Sequence, residues 1–383
     1  MQVFGSKELL EDVINRDLCI GCGACVGRCP YFKSYKGKTA MLFECDLSEG
    51  RCFAHCPKVE VDLDSLSTTF FQKAYDGNPL GSYMEILGAK AGDKIAKAEF
   101  QNGGSVSALI ALALETGLID AAVLTDREGI IPTPRLVTNA QEVFECASSK
   151  YMAAPTLSAL NNGIEQGFER MGVVATPCQA TAVAKIRTNP VKRANFIDPV
   201  NLVIGLFCTW ALDTRQMLSF LSDQPDMADD IRSADIRSMD IPPPPEEVMV
   251  IETGTKKTKI PLKEIRPMIC ESCQFCPDMT AEWSDISVGA FEGKPGWNTL
   301  VIRTKKGKNL VEEAVEKGYL QVEKIPEESI KHLAGAALNK KRNSFIKNVE
   351  KGLVNTGEKE GRSAIRLSDD VLKKITAQKE NAV

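Results

Sequence analysis

The chain has 383 residues, 43% of them apolar and 26% charged, with a formal net charge of −4, an ordinary globular composition that is neither disordered nor fibrous and leaves room for two or three domains. No stretch approaches ~18 uninterrupted apolar residues, so no transmembrane helix is expected. The opening Met1-Gln2-Val3-Phe4-Gly5 has no basic region ahead of an apolar core, so no secretory signal is read and a cytoplasmic location follows as the expectation.

In chain order, Ser6 precedes Leu9, Leu10, Val13 and Ile14 at helical spacing, which predicts a short capped helix. Seven of the thirteen cysteines then fall within the first 56 residues. Four form Cys19-x2-Cys22-x2-Cys25-x3-Cys29-Pro30, the spacing of a bacterial ferredoxin iron–sulfur motif. Cys45, Cys52 and Cys56-Pro57 supply its downstream partner. With no export signal, this spacing favours thiolate ligation over disulfides, and it marks a chain that moves electrons. Cys19, Cys22, Cys25 and Cys56 are assigned to a first 4Fe-4S cluster, because the distal Cys-Pro conventionally completes it. Cys29, Cys45 and Cys52 are assigned to a second.

That second site lacks a thiolate, because the usual motif has a cysteine three residues before Cys45 and this chain has Leu42 there. It is a three-iron cluster, a cubane completed by a remote ligand such as Cys146 or Cys270, or a vestigial site. A zinc knuckle is the competing reading of the module, and the overlapping cysteine run speaks against it. Residues 1–62 are thus a ferredoxin-like module. Residues 63–90, with Gly77-Asn78-Pro79 and Gly81, read as a linker.

From residue 91 to about 325 the pattern turns to alternating strands and helices. Gly103-Gly104 opens a helix over 105–116, and 121–125 is a strand. A helix over 156–171 is followed by a strand over 172–176 that enters Pro177-Cys178. Another strand over 201–207 ends at Cys208. This alternation predicts an α/β domain with a mixed sheet, so the whole chain reads as α+β and α/β parts. The proline run 242–245 marks a spacer. Strands are expected at 248–252, 285–289 and 299–303, and a helix at 310–317.

Cys270-x2-Cys273-x2-Cys276-Pro277 lies in a loop between them. In open α/β sheets the carboxyl ends of the strands form the ligand-binding edge. Cys178 and Cys208 on that edge, with a CxxC loop, make four thiolates, enough for another cubane; any one alone is more often a buried apolar side chain. Residues 326–383 read as a basic helical tail: from 331 on it has twelve Lys and Arg against six Asp and Glu. It is either a solvated extension or a docking arm for an acidic partner. Few aromatics accompany the charge, so nucleic acid is not expected as a partner. His55 and His332 have no catalytic context and are read as structural. The absence of GxGxxG after a strand argues against a conventional NAD site.

The central domain resembles the beta-subunit family of coenzyme F420 hydrogenases, dehydrogenases and formate dehydrogenases. The resemblance rests on Gln101-Asn102-Gly103-Gly104-Ser105, on 118–123, on Ser149-Lys150-Tyr151 and on Ala175-Thr176-Pro177-Cys178-Gln179. It continues through 203–208, Cys273-x2-Cys276 leading to Ala281-Glu282-x-Ser284-Asp285, and Pro295-Gly296-Trp297-Asn298-Thr299. It implies FAD, a 4Fe-4S cluster on Cys178, Cys208, Cys273 and Cys276 with Cys270 spare, and reaction with coenzyme F420.

An FAD would stand between a hydride carrier and one-electron clusters. Gly103, Gly104 and Ser105 are candidates to approach it, since a glycine pair before a helix admits close backbone contact, although by itself such a pair is more often a turn. Lys150, Tyr151, Gly296, Trp297, Asn298 and Thr299 are candidates to line its pocket; Tyr151 and Trp297 read equally well as core aromatics. The expected cofactors are therefore FAD and 4Fe-4S clusters, with one of three iron–sulfur sites either 4Fe-4S or 3Fe-4S. The hydride carrier is coenzyme F420, or NAD(P)H as the alternative, and a purely electron-conducting, polyferredoxin-like protein is a third reading. No molybdopterin, nickel or haem motif is present, so a partner redox subunit is expected: a hydrogenase, formate dehydrogenase, heterodisulfide reductase or ferredoxin.

Overall fold

The computed structural model describes residues 2–95, 98, 100–223, 236–242, 246–254, 256–357, 362 and 364–377. The cysteine-rich segment opens on a helix, Ser6–Leu9, that widens to π geometry over Leu10–Ile14. Its cap is Gly5 with Glu8 reaching back to it, and Ser6 is already helical, so the expected cap is displaced by one residue. A hairpin of β1 (Phe32–Tyr35) and β2 (Lys38–Met41) follows, then the short strand β3 (Val61–Asp62).

Residues 63–90 are not a bare connector. They form a helix, Leu63–Phe71, capped by the Asp62 carboxylate, and the strand β4 (Glu85–Ala91), which lies inside the main sheet. Gly88 hides that strand from a sequence reading, since glycine weakens the strand signal. The fold requires it there, because a Cβ would stand 2.9 Å from the Phe291 ring.

The main sheet continues with β5 (Ala121–Glu128), β6 (Ile131–Val137), β7 (Met171–Ala175) and β8 (Val200–Leu206). β6 carries Pro132 and Pro134, which argue against a strand in sequence; it is an edge strand, where proline is tolerated. The helix expected over 156–171 stops at Leu157–Glu165, where Gly167 takes a left-handed φ of 85° and Met171 already belongs to β7.

A smaller antiparallel sheet holds β9 (Ile236–Asp240), β10 (Val248–Thr253) and β11 (Lys257–Pro261) over its own apolar core. Of the proline run, Pro243–Pro245 lie outside the described residues. The main sheet then takes β12 (Ile286–Ala290), β13 (Asn298–Ile302) and β14 (Leu320–Lys324).

The eight-stranded order is β14-β4-β13-β12-β8-β7-β5-β6. β5, β7, β8 and β12 are mutually parallel, and β4 runs the same way because it is antiparallel to β13, itself antiparallel to β12. The carboxyl ends of five strands therefore share one edge. One apolar core lies under each face of this sheet, and one of the two extends without a break into the cysteine-rich module through Leu18, Phe32, Phe53 and Leu63.

The C-terminal segment is not a solvated helical arm. A 24-residue helix, Glu327–Glu350, packs onto the domain, with Phe345 and Lys341 fully buried. Two short strands follow, β15 (Val354–Asn355) and β16 (Ile365–Arg366). β16 pairs in parallel with both β15 and β3, so the end of the chain is stitched to its beginning before the last helix, Asp369–Ala377. Among the described residues no helix is long and apolar enough to cross a membrane.

Candidate functional site

The cysteines assemble into three neighbouring groups. The loop that carries Cys19, Cys22 and Cys25 is held by two glycines that only glycine satisfies. Gly21 and Gly23 adopt φ of 62° and 83°, and a Cβ would collide with the Gly37 carbonyl at 2.1 Å and the Pro155 carbonyl at 2.5 Å. The helix Leu157–Glu165 of the main domain clamps the same loop: Leu157 N–H donates to the Cys22 carbonyl at 2.9 Å, and the Asn161 amide donates to the Val26 carbonyl at 2.6 Å. Burial first, then the thiols of Cys25 and Cys56, raise the Cys22 thiol well above its ordinary range; burial and then Cys56 and Cys19 do the same to Cys25. Lys185, itself buried, donates to the Cys56 carbonyl at 2.7 Å and to the Glu60 carbonyl at 2.9 Å.

Cys52 is pushed up to about 11, mainly by burial and then by Cys29 and Cys45, which places those three together. The remote candidates for a fourth ligand belong elsewhere. Cys146 is buried in the core on one face of the sheet near Asp126, Arg135 and Lys150, and Cys270 bonds Cys273. Leu42 is 53% exposed, so the position that lacks a cysteine turns to solvent.

Cys178 and Cys208 stand just past β7 and β8, on the shared carboxyl edge, with Cys178 in the first turn of the helix Pro177–Arg187. Cys273 and Cys276 meet them from the 3₁₀ turn Glu271–Phe275. Burial and then Cys276 and Cys273 raise Cys178 to about 12, and Cys208 is raised by burial and by the same group. Cys270 donates to Cys273 and thereby lowers it to about 6. The Ala211 N–H donates to the Cys273 sulfur at 3.3 Å, and Gly21 N–H to the Cys19 sulfur at 3.4 Å.

The three groups are in electrostatic contact in a row: Cys178 acts on Cys22, and Cys52 acts on Cys25. A cleft lies between the module and the Cys178 group, lined by Leu18, Pro57, Lys58, Cys178, Cys276 and Trp283.

This donor set fits iron–sulfur clusters. Buried thiols crowded together stay protonated unless a positive centre compensates them, so loading releases protons. Among the described residues no three His, Cys, Asp or Glu side chains converge closely enough to clamp a single metal ion. Four cysteines around a cubane stand farther apart, since each binds a different iron, whereas a zinc knuckle needs all four on one ion.

Three lysines missed in the sequence surround these groups. Besides Lys185, Lys58 donates to the Ser272 carbonyl at 2.9 Å and Lys340 to the Cys208 carbonyl at 2.6 Å. Burial would lower the Lys340 ammonium, but the thiols of Cys276 and Cys208 hold it raised. Their only sequence signal was positive charge, which ordinarily marks surface.

The candidate flavin residues divide. Gly103, Gly104, Ser105 and Asn298 come together on the carboxyl edge: Ser105 N–H donates to Asn298 Oδ1 at 3.3 Å, and a Cβ on Gly103 would stand 2.5 Å from that same oxygen. Gln101 joins this turn to 149–151 by accepting from Ser149 N–H at 2.9 Å, and it donates across to the Met239 carbonyl of β9 at 2.6 Å. Tyr151 accepts at its hydroxyl from Ile241 N–H at 3.2 Å.

Lys150 is pulled down to about 8 by burial and by Arg127, a residue not singled out in the sequence. Arg127 Nη1 and Ser105 Oγ are buried with no hydrogen-bond partner. Gln101 ties the glycine turn to Ser149, beside Lys150, whose ammonium donates to the Cys146 carbonyl at 2.6 Å; a glycine turn with an unanswered hydroxyl and cations on neighbouring segments fits an anionic dinucleotide. Gly296 and Trp297 form the turn between β12 and β13; Gly296 is exposed, and the Trp297 ring is flanked by Lys294 at 3.9 Å and Lys90 at 5.1 Å. Thr299 lies in β13 with its hydroxyl on the Ala290 carbonyl at 3.4 Å. His55 is buried and His332 pairs with Glu292.

Residues 86–161 match the family model for the N-terminal part of the coenzyme F420 hydrogenase/dehydrogenase beta subunit, and 168–328 match the model for the C-terminal part of that subunit. Residues 12–31 match a 4Fe-4S binding domain. The chain is 32% identical to the beta subunit of coenzyme F420 hydrogenase from Methanococcus voltae, over 64% of this chain and 86% of that one. It is 29% identical to coenzyme F420-dependent sulfite reductase of Methanocaldococcus jannaschii, over 88% of this chain but about half (52%) of that enzyme's length. Its fold resembles a chain of the F420-reducing [NiFe] hydrogenase complex from Methanosarcina barkeri, with a TM-score of 0.63, 25% identity, and coverage of 72% of this chain and 95% of that one.

Proposed function

The chain belongs to the coenzyme F420 hydrogenase/dehydrogenase beta-subunit family, and from that premise we propose that it is an oxidoreductase subunit exchanging hydride with coenzyme F420 at FAD and relaying single electrons to or from a partner redox subunit. The observation that carries this reading is the row of three cysteine groups running from the sheet's carboxyl edge into the N-terminal module. FAD, when bound, would accept two electrons as hydride, and 4Fe-4S clusters would take them one at a time. Cys178, Cys208, Cys273 and Cys276 would hold the cluster nearest the edge; Cys19, Cys22, Cys25 and Cys56 the next; and Cys29, Cys45 and Cys52 the last.

On the flavin side, Arg127 and Lys150 supply charge for a pyrophosphate, Ser105 a free hydroxyl, and Gly103-Gly104 the close backbone approach. The test is anaerobic addition of reduced F420 or of NADH to the purified protein. Bleaching of a bound flavin by reduced F420 is the expected result; bleaching by NADH alone, or the absence of any flavin released on denaturation, sinks the reading.

Two predictions arise at the flavin side. Gly103→Ala forces a methyl onto Asn298 and costs about 1–3 kcal/mol of local packing, so FAD retention through gel filtration should drop sharply. Lys150 loses its proton in the free protein as pH rises through about 8. FAD capture by the deflavinated protein should then weaken about tenfold per pH unit above that point, until the higher pKa of the bound form is passed. Lys150→Met should remove this slope in fluorescence titrations.

At the other end, Arg28 and Arg51 directly precede Cys29 and Cys52. Burial and then Arg51 and Arg193 lower Arg28. Such a group of cations beside the outermost cysteines suits an acidic partner surface, and it favours residues 17–62 of the module over the basic tail as the docking face. Onward transfer should slow by about tenfold from low to high salt, and Arg28→Gln with Arg51→Gln should flatten that dependence in stopped-flow assays.

A further inference from the structure

The helix Glu327–Glu350 lies almost wholly beyond the family-matched segment, which ends at 328. It nevertheless reaches the Cys178 group. Lys340 donates to the Cys208 carbonyl at 2.6 Å, and its charge acts together with those of Cys208, Cys273 and Cys276.

The position of that ammonium is fixed by its neighbours on the same helix. Lys341, with no exposed surface, bonds Glu282 at 2.6 Å, the Asn78 carbonyl at 2.7 Å and the Tyr75 hydroxyl at 3.0 Å. Farther along the helix, the Asn348 amide donates to the Phe275 carbonyl at 3.3 Å, beside Cys276. The helix is thereby tied to the turn that carries Cys273 and Cys276, and Lys340 is held toward the group by its bond to the Cys208 carbonyl.

We propose that Lys340 is a positioning residue that sets the reduction potential of the cluster held by Cys178, Cys208, Cys273 and Cys276. Reduction adds one negative charge to that site. A half-buried cation held beside it by the Cys208 carbonyl interacts more strongly than one in water, so it favours the reduced state and raises the potential, a recognised lever on such clusters. A C-terminal helix outside the family-matched domain would thus tune the electron exit of that domain. This inference rests on the Cys178 group holding a cluster.

The experiment is an anaerobic redox titration of the full-length holoprotein followed by EPR, with the signal assigned by its loss in Cys178→Ala. Lys340→Gln keeps a donor to the Cys208 carbonyl and removes the charge. It should lower the reduced-to-oxidised ratio at a given poise at least tenfold, which is about 59 mV for one electron. Lys340→Arg should restore most of the shift, and Lys331→Met, an exposed cation on the same helix, should leave the potential alone. An unchanged potential in Lys340→Gln with wild-type iron content overturns the proposal. If Cys178→Ala removes no signal, the underlying assignment of the cluster falls instead. Should Lys340→Gln lose iron, the same titration on Lys340→Met decides, and loss of iron there too overturns the proposal by assigning Lys340 a purely structural role.

Discussion

Lys341→Met should destabilise the folded protein by about 3–5 kcal/mol, because it leaves the Glu282 carboxylate buried without its cation. The pair is 0% and 4% exposed, and the ammonium has no route to water. Burial already raises Glu282 to about 7 with Lys341 present. In the variant that pKa rises further, so folding takes up a proton that the unfolded chain, with its carboxyl near 4.5, does not hold at neutral pH. Stability of the variant therefore falls as pH rises from about 4.5 through the folded pKa, and the loss is smaller at about pH 5 than at about pH 8. Anaerobic thermal unfolding at the two pH values measures this. The double variant Lys341→Met with Glu282→Met should recover much of the loss, since a buried pair replaced by apolar groups of similar volume is often neutral. A single variant as stable as wild type at the higher pH would show that the ion pair carries no weight.

Cys178→Ala should remove about four irons per chain and disconnect the two ends of the protein. Flavin reduction by reduced F420 should persist, because Gly103 and Ser105 meet Asn298 at the start of β13, three strands along the sheet from β7 and Cys178. Reoxidation by a partner or by an added one-electron acceptor that draws on the N-terminal module should fall to background. Iron analysis and stopped-flow spectroscopy report the two halves separately. Unchanged iron would remove Cys178 from the ligand set, and loss of flavin reduction would show that the two halves are not independent.

The cysteine groups were legible in sequence because ligand chemistry imposes local spacing, and the carboxyl-edge rule alone brings Cys178 and Cys208 to the 270–276 loop. Strand β4 was not legible: Gly88 and the turn residues near 77–81 mimic a connector, and only Phe291, about two hundred residues on, explains the glycine. Lys340 and Lys341 were read as part of a basic tail because their charge speaks for solvent. Lys341 is buried and Lys340 half-buried because Glu282, Asn78 and Cys208 supply the partners that burial demands, and those contacts exist only in the folded chain. Trp297, read equally as a flavin wall or a core aromatic, lies at a turn bracketed by two lysines, neighbours that sequence spacing does not reveal.

The parallel pairing of β3 with β16 joins residues 61–62 to 365–366. During synthesis, that edge of the cysteine-rich module has no partner until almost the whole polypeptide has left the ribosome. The same delay applies to the helix that carries Lys340. The Cys19–Cys25 loop, by contrast, can gain its contacts to Leu157 and Asn161 as soon as that helix is made. A chain cut short before residue 365 would leave β3 without the strand partner it has among the described residues, so the edge of the module closes only when the end of the chain is made.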